Sequence, residues 1–241
     1  FIDRISAYAL YLKTNEPTKK NNDLWNVIEN EVNHKGFIDS ICDTQKNNKE
    51  LIKTLKDLGK TKLLLGYGPN RKSYIQLDNK KYKEDEKYFF FDYLISISEY
   101  YGNIKVSNPE QGGWLIEDID YDDLANKIFK KRNISLFKTP NYYYGYKYNK
   151  EFIFLKDLKG LYAAEQLKNI YKNNDLSEII EIGAGIGYTC HYLKQMINIK
   201  YTIYDLPFSS ILQAIYLMIS QGEDNVHLDN EKLSNEKLSN K

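Results

Sequence analysis

Cysteine is scarce in this sequence: Cys42 and Cys190 are the only two, far apart and without C-x-x-C spacing. That excludes a disulfide framework and a thiolate zinc site, so no metal is expected, and it points to a reducing, cytoplasmic setting. Net charge is also nearly absent, since 34 basic and 33 acidic residues leave +1. So even a balance provides no broad field for gripping nucleic acid or an anionic membrane. Long hydrophobic runs are missing as well. The best candidate, 211–220, falls short of the roughly 20 apolar residues that span a bilayer, and Gln213 interrupts it. The opening FIDRISAYALYLK carries Asp3 and Arg4 within its apolar stretch, which does not suit a signal peptide. The first residue is Phe rather than Met, which reads as a removed start or a fragment.

The 42% of hydrophobic residues suffices for a globular core, and 241 residues suit one large domain or two small ones. Lys and Asn dominate the polar set, a bias that reads as genome composition. The 22 tyrosines are expected to be mostly half-buried core and surface. Helical spacing of apolar residues predicts helices over 1–13, 22–34, 46–59 and 86–101. The run 62–70 (KLLLGYGPN) reads as a short element followed by a turn. From residue 102 to 156 turn formers dominate, with β-prone pieces at 114–116, 142–148 and 152–155 and one charged helix at 122–132. The tyrosines between 142 and 148 read as an exposed hairpin. A helix from Asp157 to about Asn173 leads into an alternation of strand (177–181), helix (188–197), strand (200–204) and helix (208–220). A third strand is expected at 225–228. Such alternation argues for a parallel sheet with helices on its faces. The expected organisation is a mainly helical region 1–140, β-rich near 102–140, followed by an α/β domain over 141–241. The tail, with EKLSN twice in tandem, reads as a frayed helix or disorder.

The chemistry concentrates in EIIEIGAGIGYTCHYLK, residues 178–194. A strand runs into glycines at 183, 185 and 187, and a helix follows. Glycine suits places where the backbone turns tightly or a ligand comes close to it, and the N–H groups of a helix start favour ligand oxygens. Asp205 ends the next strand, where a carboxylate can accept hydrogen bonds from ribose hydroxyls. A dinucleotide loop, G-x-G-x-x-G/A, would require Gly or Ala at 188, and Tyr188 stands there.

The spacing here, an acid at Glu181 followed by G-x-G-x-G, resembles motif I of S-adenosylmethionine (SAM) dependent methyltransferases. Around it, LKGLYAAEQLKNIY (158–171) and YTIYDLPFSSILQAIYL (201–217) resemble the sugar O-methyltransferase family over about residues 142–220. The Asp205-Leu206-Pro207 step is the most specific part, since Pro207 suits the first turn of a helix. The resemblance implies a Rossmann-like fold and a SAM site. That site would comprise Glu181 near the amino-acid end of the cofactor, the loop Gly183, Ala184, Gly185 and Gly187, and Asp205 with Leu206 at the ribose. It also implies methyl transfer to a sugar or glycan hydroxyl, driven by alignment and a base near the hydroxyl. The motif does not identify that base. Two other readings stay open: an inactive or truncated methyltransferase-like binding module, and an NAD-dependent enzyme. A full sheet of this kind has about seven strands, and few residues follow Asp205, so a truncated sheet, or one completed by another segment or a homo-oligomer, is expected.

Among the remaining candidates, His191 reads as a surface helix residue and His34 as the C-terminal residue of a helix. Cys190 reads as a small buried helix residue, His227 as part of the third strand and Trp114 as core.

Overall fold

The computed structural model of the chain describes residues 1–15, 33–43, 48–64, 79–104, 119–174 and 176–231. Residues 22–32 of the helix expected over 22–34, the GYGPN turn, the piece 114–116 with Trp114, and the tail from 232 lie outside them. Helix α1 (Ile2–Thr14) is followed by α2 (His34–Cys42), α3 (Asn48–Lys56), two 3₁₀ turns (Leu58–Lys60 and Lys62–Leu64) and α4 (Asn79–Tyr100). Helix α5 (Tyr121–Ala125) starts at Asp120, whose side chain accepts the Asp123 N–H, and continues as a π turn over Asn126–Lys130. The charged helix of the sequence reading is therefore present, with its second half wound wider.

A hairpin follows, with β1 (Tyr146–Tyr148) antiparallel to β2 (Glu151–Ile153). It is packed rather than free. Phe90 and Phe91 of α4 meet the rings of Tyr144 and Tyr146, and Tyr148 donates to Asn126 Oδ1 at 3.0 Å. Helix α6 (Leu155–Lys172) begins because Phe154 is extended and Asp157, three residues on, accepts the Phe154 N–H at 2.8 Å.

Beyond α6 the α/β part forms. Strand β3 (Glu178–Ile182) pairs in parallel with β4 (Lys200–Tyr204), in the register Glu178↔Lys200 through Ile182↔Tyr204. Helix α7 (Tyr188–Lys194) connects them, and α8 (Pro207–Gln221) follows β4. The α/β class is thus present, and among the described residues this sheet has two strands. Side chains alternate as a pleat requires. Ile179, Tyr201 and Ile203 pack against the core, whereas Ile180, Ile182 and Tyr204 lie exposed on the other face.

The expected third strand is not formed. Gly222 ends α8 with φ +91°, a 3₁₀ turn takes Glu223–Asn225, and the next backbone groups bond to side chains instead of a ladder. Arg4 donates to the Glu223 and Val226 carbonyls, and the Leu228 N–H donates to Glu231. The same Arg4 pairs with Glu231 at 2.7 Å, which fastens α1 to the segment after α8.

One buried cluster runs through both halves of the chain. Ile5, Tyr8 and Ala9 of α1, Phe37 and Ile41 of α2, and the apolar residues of α8 belong to it together with Leu158, Leu161 and Ala164 of α6. Helix α8 is apolar on nearly all sides and correspondingly buried, from Phe208 to Met218. Helices α6 and α7 cross closely because α6 offers Gly160 at the contact: a Cβ there would lie 2.5 Å from Tyr188 Cβ. No helix among the described residues is long and apolar enough to cross a membrane.

Candidate functional site

The site lies where β3 and β4 end side by side. The register that pairs Ile182 with Tyr204 brings the loop after β3 next to Asp205, and the Gly183 N–H extends the ladder to the Tyr204 carbonyl at 2.9 Å. Gly183, Gly185 and Gly187 all take positive φ (+77°, +63° and +97°), the left-handed region where a side chain is strained. Two of them serve different purposes. A Cβ on Gly183 would meet nothing within 4 Å, so the loop presents bare backbone to open space there. A Cβ on Gly187 would press on Leu217 of α8 at 3.0 Å, so that glycine serves packing.

Asp205 is bound tightly into the loop. Its Oδ2 accepts the Gly185 N–H at 3.2 Å and the Gln213 side-chain amide at 2.8 Å, while Oδ1 accepts the Leu206 N–H at 2.8 Å. Gln213, buried on α8, also donates to the Gly185 carbonyl at 2.9 Å. A carboxylate has about four acceptor positions, so these three bonds leave one on Oδ1. The loop, the Asp205 carboxylate and the middle of α8 therefore form one hydrogen-bonded unit.

Glu181 is held differently from Asp205. Its Oε2 accepts the Tyr201 hydroxyl at 2.7 Å across the two strands, on the packed face of the sheet. Burial raises its pKa, the Tyr201 hydrogen bond opposes that rise, and the negative charge of Asp205 adds to it. The two acids are thus near enough to repel each other. Cys190 sits close by, buried, with its thiol pushed up to about 12 by burial, an inert helix residue as expected.

The structure brings Glu181, Gly183, Ala184, Gly185, Gly187, Asp205 and Leu206 into one place, at the carboxyl ends of two parallel strands, where open α/β sheets bind ligands. It also corrects several details. Helix α7 ends at Lys194 rather than 197, so its seven residues contribute little dipole to the loop. His191 is not on the surface: it is buried, with Nε2 3.1 Å from the Ser135 carbonyl and Nδ1 2.6 Å from the Gln221 amide. Burial lowers its pKa to about 4, so the ring is neutral and structural. His34 opens α2 rather than closing a helix, and its ring stacks on Phe208 at 3.8 Å. His227 is exposed and lies outside any strand.

Two residues of the site went unread in the sequence. Gln213 registered there only as an interruption of an apolar run, yet a lone amide among buried apolar residues must find a polar partner. Tyr201, the partner of Glu181, carries no signal beyond its place on the same face of an adjacent strand.

Behind the loop lies a buried polar layer. Tyr188, at the start of α7, donates its hydroxyl to that of Tyr142 at 3.1 Å, and Tyr192 donates to Asp157 at 2.6 Å. Asp157 is fully enclosed, and burial pushes its pKa up to about 7 against the pull of the Tyr192 hydroxyl and the Phe154 N–H, which both donate to it. Among the described residues, no three His, Cys, Asp or Glu side chains gather as metal ligands.

No protein-family model, no curated protein and no solved structure matches this chain.

Proposed function

We propose that the loop Gly183–Gly187 and Asp205 bind the adenosyl part of SAM, and that the chain is an O-methyltransferase for a sugar or glycan hydroxyl. The observation that carries this reading is the open backbone at Gly183, at the end of one parallel strand, beside a carboxylate at the end of the next. A nucleoside needs both: close approach to the backbone and an acceptor for ribose. The residues present fit the cofactor. Gly183 leaves room where a Cβ would intrude, and Asp205 Oδ1 keeps acceptor capacity. When bound, SAM supplies a methyl group on a sulfonium for attack by the acceptor oxygen. The chain's part is to fix the nucleoside so that this methyl is aligned. The acceptor class rests on the likeness of residues 142–220 to sugar O-methyltransferases.

Tyr188 argues against a dinucleotide. At the position where such loops carry Gly or Ala, Tyr188 sets its Cβ and backbone against Gly160, its buried ring meets Phe137 and its hydroxyl is bonded to that of Tyr142. A second reading is a cofactor-binding module without turnover, favoured by the two-stranded form of the parallel sheet among the described residues.

Calorimetric titration with S-adenosylhomocysteine, with NADH in parallel, tests the proposal. Micromolar binding of the former alone is expected, weakened about 10- to 100-fold by Asp205→Ala, the scale of a lost hydrogen bond to a charged group. Binding of NADH instead, or of neither, refutes it. Binding followed by no transfer to any of a panel of sugars supports the second reading.

A further inference from the structure

Resting on that nucleoside reading, we infer that Gln213 is the positioning residue of the ribose subsite, acting through Asp205. An aspartate at a strand end is free to rotate, and a rotating carboxylate presents no fixed acceptor. Here rotation is blocked from three directions. The Leu206 N–H holds Oδ1, and Gly185 N–H and Gln213 Nε2 both hold Oδ2. Of these, only Gln213 is a side chain, and only Gln213 grips the glycine loop as well, through the Gly185 carbonyl at 2.9 Å. One amide nitrogen thus sets the spacing between the ribose acceptor and the backbone that the nucleoside must approach. It turns Oδ2 inward and leaves Oδ1 as the oxygen that faces a ligand hydroxyl.

The position of Gln213 is itself fixed. The residue is 5% exposed, in the middle of α8, flanked by the buried Leu212 and Ala214. Its helix is pinned at the start by Pro207 and along its length by α1 and α2. The side chain therefore delivers its amide from a rigid element, as a site held to tight tolerance requires. A buried amide serving only the core would need a partner; it would not need to bridge the two halves of a binding loop.

The test compares two ligands on the whole chain: S-adenosylhomocysteine, and its 2′,3′-dideoxy analogue, which offers Asp205 no hydroxyl. Gln213→Met keeps the shape and removes the amide. It should weaken the ribose ligand about tenfold and leave the dideoxy ligand within about twofold of wild type, with the far-ultraviolet dichroism unchanged. Gln213→Glu is the second variant. Its carboxyl faces Asp205, so binding of the ribose ligand should be lost at neutral pH and recover as the medium is acidified, while the dideoxy ligand binds alike throughout. Equal losses for both ligands, or no loss for either, would overturn the assignment and leave the nucleoside site standing. Failure of wild type to bind either ligand would overturn the site and the assignment together.

Discussion

Gly160→Ala sets two known magnitudes against each other. Alanine is the better helix former by roughly 1 kcal/mol, so in an open helix the change would stabilise. Residue 160 lies inside α6, but its neighbour is α7. An added Cβ would stand 2.5 Å from Tyr188 Cβ and 3.1 Å from the Tyr188 carbonyl carbon, where carbon atoms rest about 3.5–4.0 Å apart. Neither atom is the loose end of a side chain. Tyr188 is buried, with its hydroxyl bonded to Tyr142, so it cannot swing aside. The helices must separate instead, and overpacking of this kind costs about 1–3 kcal/mol. The clash therefore outweighs the propensity, and a net loss of roughly 1 kcal/mol is expected. Urea unfolding followed by circular dichroism reads it as a midpoint lower by about 0.5 M, given slopes of about 1–3 kcal/mol per molar. Since Tyr188 follows Gly187 directly, the separation should also weaken S-adenosylhomocysteine. A midpoint equal to or above wild type would refute the close crossing of α6 and α7.

The buried pair Asp157 and His191 should give opposing pH dependences. The Asp157 carboxyl, raised from 3.8 to about 7 in the folded chain, binds its proton more tightly there, so its contribution to stability falls as pH rises from about 4 to 7. His191, lowered from 6.5 to about 4, binds its proton less tightly when folded, so its contribution falls as pH drops from about 6.5 to 4. The gaps correspond to roughly 4 and roughly 3 kcal/mol at most, so wild type should show a shallow profile between pH 4 and 7. Asp157→Asn should unmask a stability that rises with pH across that window, and His191→Asn one that falls. Unfolding midpoints at three pH values decide this, and slopes of the reverse sign would refute it. Gly183→Ala should cost only about 1 kcal/mol in stability, the left-handed backbone penalty, because its Cβ meets open space. Calorimetry should nevertheless show adenosyl ligands lost, and intact binding would remove Gly183 from the site.

The elements nearest the site were the most legible in the sequence. Strand β4 and the hairpin strands follow from β-prone runs bounded by turn formers, and α8 from Pro207 and its apolar run, because each is set by local chemistry. The errors fall where a local signal had a distant competitor. His34 read as the end of a helix, but Asn33 before it takes φ +57° and its side chain accepts the Gly36 N–H, which starts α2 instead. The run 225–228 has strand character, yet Arg4, more than 200 positions earlier, holds its Val226 carbonyl. His191 is covered by the 135–137 segment, and Gln213 is satisfied by Gly185 and Asp205; neither relation exists until the chain has folded. The glycine loop was readable because glycine itself records the backbone it needs. The residue that steadies the loop was not, because an amide records nothing about its partner.

The clasp between Arg4 and Glu231 has a consequence for the order of events during synthesis. Helix α1 buries Ile5, Tyr8 and Ala9, and one of its two principal partners is α8, whose first residue is Pro207. At about 5–20 residues per second, α8 leaves the ribosome roughly 10 to 40 seconds after α1. Through that interval, of these two partners, α1 has α2 alone to cover its apolar stripe. Helix α1 is therefore made well before it can dock fully, and the ionic clasp at its base closes only when residue 231 has emerged. A chain halted before α8 would display that stripe to chaperones, and release of the nascent chain from them should coincide with the synthesis of α8.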